Sequence, residues 1–134
     1  MGLGYTVLAA PLMMMLAASD LDADTSKNFE KIADSVAMAQ TCRQHDFTVD
    51  DAGISDWKTR AIAMAVAGGM SEQDAQAKLD EEINEEYERV QEKFADAQRM
   101  AHSRDHVVRF NRSMKRTCER LARDDLAGAY FTRG

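Results

Sequence analysis

The feature that most constrains the fold is a pair of cysteines, Cys42 and Cys118, the only two in the chain. Each one continues a stripe of apolar residues spaced three or four positions apart, the first beginning at Phe29 and the second at Val107. Such spacing predicts amphipathic helices, so both thiols lie on inward faces. We therefore predict that a Cys42–Cys118 disulfide joins the first and last helices of a small bundle.

The N-terminal residues resemble a signal peptide. An apolar run extends from Tyr5 to Ala18 and ends in small residues, although no basic residue precedes it. The run is too short for an ordinary membrane span, which needs about 20 apolar residues. We predict a signal peptide at 1–19, a single helical domain at 20–134, and a periplasmic or secreted protein. A core helix, or a membrane-surface anchor through residues 5–18, is the alternative for the apolar run.

The rest of the chain predicts an all-α fold, because the apolar spacing is helical and only one proline is present. The expected architecture is a small four-helix antiparallel bundle with one long helix and no sheet, in which the tail 129–134 folds back onto the helices. The expected helices begin near Ser26, at 56 after a Ser55 cap, at 72 after a Ser71 cap, and after an Asp105 cap, with a loop at 45–54. The long helix covers about 72–101, and if it projects from the bundle, its apolar stripe would form a dimer seam.

Charge is distributed unevenly over the last two helices. Residues 71–98 hold ten acidic and three basic residues, whereas 99–134 hold nine basic and four acidic ones. Because a short connection makes these helices antiparallel neighbours, we expect the outer arginines to neutralise the acidic face from Glu81 to Glu92. The alternative is that Arg112, Arg116 and Arg123 bind an acidic protein. The net charge of −6 argues against binding nucleic acid.

The histidines raise one further alternative. Cys42 and His45 are three positions apart, and His102 and His106 are four apart, so each pair could share a helix face and hold zinc. A metal site is not favoured, because Cys42 cannot be both a thiolate ligand and half of a disulfide.

Catalysis is not expected. The chain lacks a G-x-S-x-G motif and a phosphate-binding glycine-rich loop, and no nucleophile stands beside a recognisable base. We predict a non-enzymatic exported protein, without a cofactor, that binds another protein as an accessory subunit or chaperone-like factor. A metal-sensing domain and an acidic intracellular or phage-encoded inhibitor are the alternatives. The layout resembles small exported bacterial helical proteins with two cysteines, including periplasmic acid-stress chaperones, in architecture alone.

Overall fold

The computed structural model describes residues 21–134, so the predicted signal peptide at 1–19 lies outside the described part of the chain. The described residues form the expected all-α bundle. The helices are α1 (Ala23–Gln44), α2 (Asp51–Ala67), α3 (Glu72–Arg99) and α4 (Arg104–Arg123). Two short strands, β1 (Phe47–Val49) and β2 (Phe131–Arg133), and a 3-10 helix at Gly128–Tyr130 complete the fold.

Helix α1 is the centre of the bundle and packs against each of the other three helices. Its apolar stripe is fully enclosed at Phe29, Ile32 and Cys42. Small residues between these side chains let the neighbouring helices approach closely. Ser35, also fully buried, satisfies its hydroxyl by donating to the Lys31 carbonyl oxygen at 2.7 Å. The core is therefore built around one helix that touches all the others.

The Cys42–Cys118 disulfide predicted from the sequence is present. The two Cα atoms are 5.5 Å apart, within the range that a disulfide spans, and the bond joins positions 76 residues apart. Both cysteines are fully buried, so the bond is part of the core where α1 meets α4.

The helices begin earlier than expected, except for α3. Ser71 caps α3 as predicted, and its hydroxyl accepts from the Asp74 backbone N–H at 3.1 Å. Asp22 caps α1, so this helix begins before the expected start near Ser26. Ser103, and not Asp105, caps α4. In each case the capping residue has an oxygen-bearing side chain and precedes the predicted start of the helix. The helix is therefore longer at its N-terminal end than the sequence predicted.

The expected loop at 45–54 contains a strand and the first turn of α2. The expectation of no sheet is wrong, because Phe47–Val49 pairs antiparallel with Phe131–Arg133 in a two-stranded sheet. Asp46 adopts a left-handed conformation, with φ of 67°, which turns the chain out of α1 into the strand. Three-residue strands are too short to reveal an alternating pattern in the sequence.

The C-terminal tail folds back onto the bundle as predicted. Phe131 is buried, and the Tyr130 ring stacks on Trp57 with ring centroids 5.1 Å apart. The Arg60 guanidinium donates to the Tyr130 hydroxyl at 2.7 Å. The Trp57 indole N–H in turn donates to the Asn28 side chain at 2.7 Å, which ties the tail through α2 to α1.

Helices α3 and α4 continue beyond the bundle as a projecting hairpin. None of residues 91–113 is buried, whereas Val90 and Met114 on either side of this segment are. The ring of Phe94 packs edge-on against Phe110, with centroids 5.1 Å apart, and holds the two helices together. We call residues 91–113 the hairpin tip.

Part of the core predicted from the apolar stripes of α3 and α4 is exposed in the structure. The stripe of α3 is buried at Leu79, Ile83 and Val90, but Tyr87 is 41% exposed. Val107 of α4, expected to point inward, is 36% exposed because α1 and α2 do not reach the hairpin tip.

A candidate protein-binding surface on the helical hairpin

The most distinctive chemistry of the hairpin is a line of five arginines along α4. Successive members are three, four, four and three residues apart, a spacing that keeps them on one helix face. The first and the last are fourteen positions apart, or about 21 Å at 1.5 Å per residue. We call this set the arginine stripe: Arg109, Arg112, Arg116, Arg120 and Arg123.

The arginine stripe is not neutralised by α3, so the expected charge pairing is wrong. Within residues 21–134, no ion pair joins a basic residue of α4 to an acid of α3. Among the described residues, the acids of α3 that form ion pairs do so within their own helix, Glu85 and Glu86 with Arg89 and Asp96 with Arg99. Packing explains the difference, because Phe94, Phe110 and Met114 occupy the contact between the helices while the charged side chains point to solvent.

The contacts that the stripe does make are local to α4. Arg123 pairs with Glu119 one turn earlier, at 3.7 Å. Arg120 donates to the Thr117 hydroxyl at 3.1 Å, and Arg109 lies 3.2 Å from the His106 ring. Among the described residues, Arg112 and Arg116 have neither an ion pair nor a hydrogen bond through their side chains. Most of the positive charge therefore faces solvent.

A groove runs beside the stripe between α3 and α4. Its outer part, about 380 Å³ in volume, is lined by Ala97, Met100 and Phe110 of the hairpin tip. Its inner part, about 450 Å³, lies where α1 meets the hairpin and is lined by Met38, Val90 and Leu121. Lys93 and Met114 line both parts, so the two adjoin. We call this feature the hairpin groove.

The rims of the hairpin groove carry opposite charges. On the α4 side, Arg109 borders the outer part and Arg120 the inner part. On the α3 side, Asp96 and Glu86 stand at corresponding positions, with Lys93 between them. The outer part is therefore mostly apolar, with Arg109 on its α4 side, whereas charged side chains of both signs line the inner part: Lys31, Lys93, Arg120, Asp34, Glu86 and Asp124.

The inner part of the groove contains a carboxylate in an unfavourable setting. Partial burial raises the pKa of Asp34, and the nearby Glu86 carboxylate raises it further against the attraction of Lys31. Asp124, on the same wall as Leu121, behaves oppositely. Burial disfavours its charge, but the backbone N–H groups of Ala127 and Leu126 outweigh that effect and lower its pKa.

The four residues considered as metal ligands do not form a site. Cys42 is disulfide-bonded and offers no thiolate. His45 ends α1, His102 lies in the turn of the hairpin, and His106 is in the first turn of α4. The described part of the chain contains no group of three or more His, Cys, Asp or Glu side chains arranged to hold a metal ion.

Sequence reasoning identified part of this surface. It singled out Arg112, Arg116 and Arg123, all of which belong to the stripe, but assigned most of the charge on α4 to neutralisation. The groove was missed because its floor combines Met38 of α1 with Met100 and Met114 of the hairpin, and their proximity depends on packing. The regular spacing of the five arginines was the signal that could have revealed the uninterrupted stripe.

Comparison with known proteins gives no assignment. No protein-family model, curated protein or solved structure matches this chain. Over residues 21–134, none of the helices combines the length and apolar character needed to cross a membrane.

Proposed function

We propose that this protein is a non-enzymatic exported factor that acts by binding another protein, as an accessory subunit or chaperone-like factor. The binding surface is the α4 side of the projecting hairpin. Its partner presents acidic groups to the arginine stripe.

The observation that carries this proposal is the unpaired state of the stripe. A solvated charged helix face is usually mixed in sign or paired along the helix. Of the five arginines in the stripe, Arg123 is the one that has an ion pair within the described residues, and no acid of α3 reaches the stripe. Arginine is well suited to such a role because its planar guanidinium binds carboxylates through two parallel hydrogen bonds.

The disulfide supports the exported part of the proposal. Structural disulfides persist in oxidising compartments and are rare in reducing ones. Cys42 and Cys118 are both fully buried and bonded, so the thiols are neither exposed nor free.

A pulldown from native extract tests the proposal. The bait is the oxidised full chain, compared with a variant in which Arg112, Arg116 and Arg123 are all changed to glutamate. We expect the wild type to recover a partner that the variant does not, and recovery to fall as salt rises, because exposed charges are screened.

The matched control changes Lys27, Lys58 and Lys78 to glutamate, which alters the net charge equally at positions on α1, α2 and α3 that do not line the hairpin groove. Circular dichroism verifies that both variants keep the helical fold. Recovery of the same proteins by the wild type and the arginine variant would exclude the stripe as a binding surface. Equal loss with the lysine control would show only an effect of net charge, and would also count against the proposal.

A further inference from the structure

We infer that the hairpin groove receives an amphipathic helix of the partner, with apolar side chains on the groove floor and acidic side chains along the α4 wall. This inference rests on the proposed function and names the part of the partner that is recognised. It adds the groove to the arginine stripe as a second determinant of binding.

The dimensions of the groove fit a helix better than a single small side chain. Its outer and inner parts hold about 380 Å³ and 450 Å³ and adjoin at Lys93 and Met114. Helices that dock in grooves use apolar anchors at positions i, i+3 or i+4, and i+7, which span about 10 Å along the helix. The apolar outer part can therefore take the anchors of such a helix, while its next turn lies over the mostly polar inner part.

Met100 gives the outer part an adaptable apolar surface. It is 36% exposed, whereas the other two methionines of the lining, Met38 and Met114, are only 4% and 3% exposed. Methionine side chains are unbranched and polarizable, and they adapt to different contours. At the outer end, Phe110 provides a rigid aromatic surface.

Charge determines how the helix is oriented in the groove. Carboxylates on one flank of the docked helix face Arg109 and Arg120 on the α4 wall, and those further out reach Arg112 and Arg116. The opposite wall carries Asp96 and Glu86, which pair within α3 with Arg99 and Arg89, and Lys93 stands between them. The partner helix is therefore acidic on the side that faces α4, where no acid of α3 neutralises the arginines.

A synthetic peptide provides a direct test. The probe is a fluorescein-labelled helical peptide of about 18 residues with leucine at i, i+3, i+4 and i+7 spacing and glutamate on one flank. One control peptide has lysine in place of glutamate, and another has the same composition with the leucines scattered. By fluorescence anisotropy with the oxidised full chain, we expect the acidic amphipathic peptide to bind about tenfold or more tightly than either control.

Variants of the protein locate the binding site. Met100→Glu and Ser113→Glu each place a carboxylate in the outer groove, one from each helix, and should weaken the acidic peptide about tenfold. The matched control is Val66→Glu. Val66 is 43% exposed and lies on α2, outside the lining of the hairpin groove and outside the arginine stripe, so affinity should not change.

Several results would overturn the inference. These are no binding of the acidic peptide, equal binding of the lysine or scattered peptide, or equal weakening by Val66→Glu. Sedimentation showing a dimer that Met100→Glu dissociates would assign the groove to a second copy of this chain instead. If the pulldown depends on the arginines but Met100→Glu and Ser113→Glu leave the acidic peptide bound, the groove proposal fails and the proposed function stands.

Discussion

Asp34 is a single residue whose negative charge destabilises the folded protein. It lies on the central helix, half-buried, where Glu30 of α1 and Glu86 of α3 are nearby acids and Lys31 and Arg89 are the nearby bases. Burial raises the pKa of Asp34 above its ordinary value, and Glu86 adds to the shift. Because the folded pKa exceeds the unfolded one, ionised Asp34 destabilises the fold at neutral pH, and this penalty disappears as the pH falls through the folded pKa.

We therefore predict that Asp34→Asn raises the thermal midpoint by a few degrees at pH 7. The gain should shrink on acidification, because the protonated aspartate of the wild type is then as neutral as asparagine. Thermal unfolding followed by circular dichroism at several pH values measures this difference. A lower midpoint at pH 7 would mean that Lys31 and Arg89 stabilise Asp34 more than burial and Glu86 destabilise it.

Asp124 provides a comparison with the opposite sign in the same region. Its pKa is lowered by hydrogen bonds from backbone N–H groups, at 2.9 Å from both Leu126 and Ala127, despite the cost of burial. Its stabilising effect is present above the unfolded pKa and is lost as the pH falls through the folded value. The pH dependence of the whole protein therefore includes opposing contributions from Asp34 and Asp124.

At the scale of elements, apolar periodicity predicted which segments are helical, and local chemistry set their ends. Four helices could be located because each carries a long stripe of apolar residues. Their first residues could not all be located, because more than one oxygen-bearing side chain stands near each start. Asp50 and Ser55 are both able to cap α2, and only the folded chain shows that Asp50 does so, by accepting from the Gly53 N–H at 2.9 Å.

This choice of cap yields a prediction with an internal control. Asp50→Ala should lower the free energy of unfolding by about 1 kcal/mol, the usual cost of losing an N-cap. Ser55→Ala should change it little, since Ser55 is exposed inside α2 and does not cap the helix. Urea denaturation of the two variants measures both values. A larger loss for Ser55→Ala than for Asp50→Ala would restore the later helix start.

The hairpin groove could not be predicted at the element scale. The sequence of each helix reveals its own apolar stripe. It does not reveal how far one helix extends beyond the helices that pack against it. At about 1.5 Å per residue, the 28 residues of α3 extend about 9 Å further than the 22 of α1. The hairpin tip is left without a covering helix, and residues such as Val107 become exposed.

At the scale of the whole molecule, the disulfide links the central helix to the last one. The chain-entropy model assigns about 4–5 kcal/mol to a bond that closes a loop of this length, a large share of the stability of a small domain. We predict that Cys42→Ser with Cys118→Ser, or reduction of the wild type, lowers the thermal midpoint by more than 10 °C.

Scanning calorimetry under oxidising and reducing conditions measures this effect. The double serine variant serves as the control for reduction, because its midpoint should not respond to the reductant. An unchanged midpoint of the reduced wild type would show that packing around α1 suffices without the cross-link.

The position of the bond has a topological consequence for the exposed turn between α3 and α4. The entire hairpin tip lies within the segment that Cys42 and Cys118 close into a covalent ring. A protease that cuts after Arg99 or Arg104, both exposed at that turn, opens the ring without releasing either piece. The two pieces stay joined through sulfur, and the buried residues around α1 remain attached on both sides of the cut.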